Sequence, residues 1–78
     1  MKYSKLISHF RKFASGLDRS TNWAKDAESI LDDLDEQSDL IDEMQEHLAL
    51  YRPEGGSHLL NEREMLAFVE RIITRLDS

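Results

Sequence analysis

The chain has no cysteine. That excludes a disulfide framework, a thiolate nucleophile and a structural zinc site built on thiolates. It has one proline and three glycines in 78 residues, so points that force the backbone to turn are few. Long apolar runs are also missing. Within the first sixteen residues, MKYSKLISHFRKFASG, the longest is two residues, too short for the core of a signal peptide. Nowhere does the sequence approach the roughly 18 apolar residues of a membrane span. These absences point to a cytoplasmic chain with no membrane association. The last scarcity is local: residues 27–48, AESILDDLDEQSDLIDEMQEHL, contain nine acidic residues and no lysine or arginine.

A length of 78 residues suits a single domain, residues 1–78. Chains this short bury only about 60% of their unfolded surface, so the core is thin and is helped by a partner or by dimerisation. Ten basic residues against sixteen acidic ones give a formal charge of -6. Such a chain is repelled by DNA, RNA and anionic membranes alike, and favours a partner with a basic surface.

Helical periodicity accounts for most of the apolar residues, and alternation of the strand type never lasts. Tyr3, Leu6, Ile7, Phe10, Phe13, Ala14 and Leu17 follow one another at helical spacing. They predict a first helix over about residues 2–15, with Gly16 as a left-handed stop and Leu17 folded back on the last turn. A second helix opens after Ser20, Thr21 and Asn22, any of which can cap it. Ala27, Ile30, Leu34, Gln37, Ile41, Met44, Leu48 and Tyr51 then step by threes and fours without a slip until Pro53 ends the pattern. The expectation is one continuous helix over about 22–51, roughly 45 Å long. A break near Gln37 and Ser38, where the seam is polar, is the competing expectation; a buried Gln37 would instead set the register of a helix interface. Asn61 and Glu64 form a near capping box, with Leu60 and Met65 as a staple. Leu66, Val69, Ile72, Ile73 and Leu76 then carry a third helix over about 62–77.

The fold expected from this is all-α: a small antiparallel bundle of three helices with a long central helix. Short connections fold each outer helix back along the central one. Two helices of half its length leave part of its seam uncovered, and a symmetric homodimer would complete the bundle.

Charge is divided along the chain. Residues 1–19 carry five basic and one acidic residue, residues 20–51 one basic and ten acidic, and residues 52–78 four basic and five acidic. Within the middle segment Glu28, Asp32, Asp35, Asp39, Asp42 and Glu46 recur at helical steps, about 100° round from the apolar seam. Like charges at such spacing each disfavour a helix by about 0.2–0.5 kcal/mol. Solvation of an exposed face is one explanation. Pairing with Lys2, Lys5, Arg11, Lys12 and Arg19 is a second, and it belongs to the alternative of a structural or regulatory homodimer. Docking onto a basic partner is the third. Along one rigid helix the carboxylates would lie about 5–6 Å apart, a spacing similar to that of DNA phosphates. Leu40, flanked by Asp33, Glu36 and Glu43, would be the apolar centre of such an interface.

Catalytic patterns are weak. His9, His47 and His58 are scattered, and Glu43 with His47 is a pair at a spacing that could share a surface metal. AspAspLeuAspGluGln at 32–37 lacks the glycine and closing pattern of a calcium loop. GlyGlySer at 55–57 is too short for a phosphate loop. The basic first helix, with Lys5, Arg11 and Lys12, could face nucleic acid or a membrane surface, but Phe10 and Phe13 are expected in the core. The acidic second helix and the near-neutral third do not suit a DNA-reading recognition helix, and Trp23 reads as a core anchor. The expected function is a non-enzymatic protein-binding module or inhibitor, without cofactor, metal or direct nucleic-acid contact. Its acidic helix, through Glu28, Asp32, Asp35, Asp39, Asp42 and Glu46 with Leu40, engages a basic protein surface in competition with nucleic acid.

Overall fold

The computed structural model describes residues 3–34 and 38–77. Among them the regular elements are four helices: α1 (Ser4–Ala14), α2 (Thr21–Leu34), α3 (Asp39–Leu50) and α4 (Glu62–Leu76). Side-chain caps mark three of the starts. The Ser20 hydroxyl accepts the Trp23 N–H at 3.2 Å, which identifies the cap of α2. Ser38 accepts from the Ile41 N–H at 3.2 Å. Asn61 and Glu64 complete a reciprocal capping box, as their spacing predicts.

The single helix expected over 22–51 is therefore two helices. α2 ends at Leu34, and Ser38 is extended ahead of α3. Gln37, and with it the role of setting a register, lies outside the described residues. The unbroken heptad steps do not correspond to one face. In α2 the buried residues are Trp23, Ala24, Ala27 and Leu31, while Ile30 and Leu34 are only half-buried. In α3, Ile41, Met44 and Leu48 are buried as expected, followed by Tyr51. The buried stripe thus shifts by about one residue between the two helices. A rod of roughly 45 Å would also exceed the longest dimension of the molecule, 34 Å. Folding the segment in two covers its apolar side within one chain. Among the described residues, the uncovered stretch of seam that predicted a dimer is absent.

Thr21 and Ala24, at the start of α2, line one groove with Leu48 and Ala49, at the end of α3. The two helices therefore form an antiparallel hairpin. α1 packs on α2 and on α4, so the last helix is not laid chiefly along the C-terminal half of a central rod, as expected, but against the first helix. Glu62 meets Arg19 just past α1 at 3.9 Å, and Asp77 lies by Ser4, Ile7, Ser8 and Arg11, so α1 and α4 run in opposite directions.

The core is organised by Trp23, which is fully buried. Its indole N–H donates to the His9 carbonyl at 2.8 Å, and His9 Nε2 lies 2.8 Å from the Trp23 carbonyl, which makes Nε2–H the donor. The two rings stack with centroids 5.3 Å apart and planes 3° from parallel. Phe10 and Phe13 pack against the indole at 5.6 and 4.6 Å, and Tyr51 meets both Phe13 and Trp23 edge-on.

The link between α1 and α2 departs from one expectation. Gly16 is left-handed, φ 84°, as a helix stop requires, but Leu17 is 76% exposed and does not fold back. Arg19 takes that place: its Nε–H donates to the Phe13 carbonyl at 2.8 Å, and its guanidinium lies over the Phe13 ring. Asp18 accepts both the hydroxyl and the N–H of Ser20, which lowers the pKa of its carboxyl below the ordinary value. The chain then leaves α3 through a turn with Pro53 at its second position, closed by the Gly55 N–H on the Arg52 carbonyl at 2.9 Å. Reciprocal bonds from Arg52 N–H to the Leu60 carbonyl and Leu60 N–H to the Leu50 carbonyl deliver it to α4.

Two outcomes are expected. Ser38→Ala should destabilise the protein by about 1 kcal/mol in urea unfolding, because it removes a helix cap. In one continuous helix the same change would raise stability, since alanine is the better helix former. The second concerns Tyr51, whose hydroxyl donates to the Arg19 carbonyl and whose pKa burial pushes up from 10.0 to about 12. The neutral phenol is the form the fold prefers, so this contribution is complete below pH 10 and lost as pH rises toward about 12. Unfolding midpoints followed by Trp23 fluorescence should fall across that window, and less so in Tyr51→Phe.

Candidate functional site

Helical phase decides where the carboxylates point. In α3 the buried stripe is Ile41, Met44 and Leu48. Asp39, Asp42 and Glu46 project from the other side and are exposed. In α2, Asp32 is exposed, and Glu28 is half-buried on the wall of the groove between the two helices. Asp35 lies outside the described residues. Because the hairpin is antiparallel, the α2 row and the α3 row run side by side. Asp32, one turn beyond Glu28, continues the α2 wall toward the tip. Glu46 and Asp42, one and two turns before Ala49, continue the α3 wall in the same direction. The stripe read along a single rod is thus a broader, two-row patch on one side of a hairpin.

Leu40 has a different setting from the one expected. It is half-buried and packs against the core, so it is not an isolated leucine on an open acidic face. The reason is α4. Glu43, on the same side of α3, pairs with Arg71, and His47 stacks on Phe68 with centroids 3.9 Å apart. The Arg71 guanidinium lies over the same Phe68 ring at 5.2 Å. His47 Nδ1 is 2.8 Å from the Glu43 carbonyl, one turn back in its own helix. This side of α3 is a seam with α4, closed by an ion pair and a stacked histidine. Phe68 and Arg71 at a three-residue spacing, opposite Glu43 and His47 at a four-residue spacing, carry that signal in the sequence, but nothing in one chain says which helices face each other. Glu43 and His47 serve the seam. Among the described residues no group of three histidines and carboxylates could hold a metal ion, and no helix is long and apolar enough to cross a membrane.

Lys2 lies outside the described residues; among those described, the charge pairing expected between residues 1–19 and the acidic segment is not what forms. Arg11 pairs with Asp77 at 2.8 Å and Arg19 with Glu62 at 3.9 Å, both partners belonging to α4 or its end. Among the described residues, Glu28, Asp32, Asp39, Asp42 and Glu46 make no ion pair. The first turn of α3 softens part of the repulsion. Asp39 and Asp42 lie there, where the helix dipole favours negative charge. Asp32 has no such support, being in the last turn of α2.

The groove itself holds about 260 Å³ and is open to solvent along its length. Its walls come from α2, α3 and Arg52, with no contribution from α1 or α4. Ala24 and Leu48 form the floor, and both are buried. Lys25 and Arg52 stand at the open end of the hairpin, away from the acidic tip. The sequence pattern pointed to neither, since a lone lysine in an acidic helix has no visible partner until the hairpin sets it near Arg52.

No protein-family model, no curated protein and no solved structure matches this chain.

Unpaired carboxylates that repel one another should tolerate neutralisation. Asp32→Asn combined with Glu46→Gln is expected to leave stability unchanged or raise it by a few tenths of a kcal/mol. The gain should shrink as salt is added, read from urea midpoints at low and high ionic strength.

Proposed function

We propose that the protein is a non-enzymatic binding module, or inhibitor, whose α2–α3 hairpin engages a basic surface on a partner protein. Glu28, Asp32, Asp39, Asp42 and Glu46 form the contact face, with Asp35 between the two helices in sequence and Leu40 at the margin. One observation carries this reading. Among the described residues, Arg11, Arg19 and Arg71 take Asp77, Glu62 and Glu43 as partners, while Glu28, Asp32, Asp39, Asp42 and Glu46 make no ion pair. A face of one sign kept free of internal counter-ions speeds encounter with an oppositely charged protein and repels wrong partners.

Competition with nucleic acid falls outside this function. It required a single rigid helix with carboxylates at one-turn spacing over its whole length, and the segment is folded in two. The alternative, a structural or regulatory homodimer with the acidic face serving solubility, has less support, because the described apolar residues of the seam pack on the core of one chain.

The test is a triple charge reversal, Asp39→Lys, Asp42→Lys and Glu46→Lys, at positions that are exposed and unpaired. Circular dichroism should show an unchanged helical fold. Affinity capture from an extract of the source cells should retain a basic protein at low salt, release it at high salt and fail with the variant. Capture that is indifferent to salt, or equally strong with the reversed face, would remove this function.

A further inference from the structure

We propose that copies of this chain associate head to tail, the outer face of α1 in one molecule lying on the outer face of α3 in the next. The proposal rests on the basic-surface reading above and names one such surface, that of the chain's own first helix. It is not the symmetric dimer of an uncovered apolar seam.

The two faces are complementary. On α1 the exposed residues are Ser4, Lys5, Ser8, Arg11 and Lys12, followed by Ser15 at the cap, and none is acidic. Among the described residues Lys5 and Lys12 make no ion pair. Asp18, whose N–H donates to the Lys12 carbonyl, turns its carboxylate to Ser20. Helical phase sets Ser8 and Ser15 in the middle of the face, with the two lysines on one flank and Arg11 on the other. The short serines let another helix approach between them. On α3, Asp39, Asp42 and Glu46 are exposed and make no ion pair. Lys5 and Lys12 are two helical turns apart, about 10 Å, and so are Asp39 and Glu46. One side-by-side docking therefore brings both lysines to a carboxylate, whichever way the helices run.

These faces do not meet inside one molecule. α1 packs on α2 and α4. α3 packs on α2 and is closed against α4 by the Glu43–Arg71 pair and the His47–Phe68 stack. α1 and α3 thus stand at opposite corners, and their outer faces look away from each other. Pairing between these lysines and these carboxylates is open only between molecules. The same placement decides the kind of assembly. Each contact uses one α1 face and one α3 face and leaves the other of each free, so association continues as an open row and does not close as a two-fold dimer.

Salt dependence follows from the charges. Exposed pairs are weak, and a net charge of -6 makes copies repel at a distance. In about 0.1 M salt, a screening length of about 10 Å damps the distant repulsion and leaves touching side chains coupled. Near 1 M that length is about 3 Å, and the contact is lost.

Sedimentation equilibrium at protein concentrations up to about 1 mM tests this. In about 0.1 M salt the average mass should rise with concentration beyond that of two chains, and in about 1 M salt it should return to one chain. Lys5→Gln with Lys12→Gln removes the basic face, and Asp39→Asn with Glu46→Gln removes the acidic one. Each variant alone should stay monomeric, with circular dichroism unchanged. Mixed, they retain one working face each and should form a one-to-one complex that grows no further. A single-chain mass at every concentration, a dimer that stops growing in the unsubstituted protein, association that persists in either variant, or a mixture that stays monomeric overturns the proposal. Salt-dependent capture of a basic protein would then leave the basic-surface reading standing, and its absence would remove both.

Discussion

The reciprocal contact between Trp23 and His9 is the joint on which the arrangement turns. A buried indole must place its N–H on an acceptor or lose the free energy of desolvating it. Here the acceptor is the His9 carbonyl, and the His9 ring returns a hydrogen bond to the Trp23 carbonyl. The pair is satisfied at both ends, so α1 and α2 are fixed in direction as well as in contact. Phe10, Phe13 and Tyr51 then pack round the indole, and the Tyr51 hydroxyl donates to the Arg19 carbonyl. That last bond ties the end of α3 to the link between α1 and α2. One aromatic cluster thereby sets the open end of the hairpin, and the acidic tip is held at the opposite end.

Among the described residues, Glu28, Asp32, Asp39, Asp42 and Glu46 of the hairpin make no ion pair, so the fold has to be carried by apolar burial. Trp23, Phe10, Phe13, Leu31, Met44, Leu48, Met65, Val69 and Ile72 are almost wholly removed from water. Each side chain of this kind contributes on the order of 1.5–3 kcal/mol, against a few tenths for each repelling pair. Breaking the segment at Ser38 shifts the electrostatics as well. Asp39 and Asp42 become first-turn residues of α3, where the dipole welcomes them. Asp32 and Asp33 fall at the wrong end of α2 and gain nothing. The break is thus mixed for charge and favourable for packing, and packing outweighs charge.

The ion pairs follow the packing and not the sequence distribution of charge. Residues 1–19 are strongly basic and residues 20–51 strongly acidic, which makes pairing between them the natural expectation. Yet Arg11 and Arg19 reach toward Asp77 and Glu62, because α4 lies against α1. Exposed pairs of this type contribute little to stability. Their consequence is that, among the described residues, Glu28, Asp32, Asp39, Asp42 and Glu46 of the hairpin make no ion pair.

Much of the helical content was legible from local chemistry. Gly16, Ser20, Asn61 with Glu64, and Pro53 act through bonds and sterics within a few residues, so the helix ends beside them fall close to where these residues predict them. The exposure of Asp39, Asp42 and Glu46 follows in the same way from their phase against Ile41, Met44 and Leu48. What local chemistry could not decide was whether heptad steps running through residues 27–51 meant one helix or two. A spacing of threes and fours is satisfied equally by a rod and by two helices whose buried faces differ by one residue. Only the tertiary structure chose, since burial of Trp23, Leu31 and Tyr51 in one shared core requires the chain to return on itself. The same choice laid α4 on α1, paired Glu43 with Arg71 of α4, and opened a groove between Ala24 and Ala49. These are contacts between residues far apart in the chain, and no periodicity within a segment carries them.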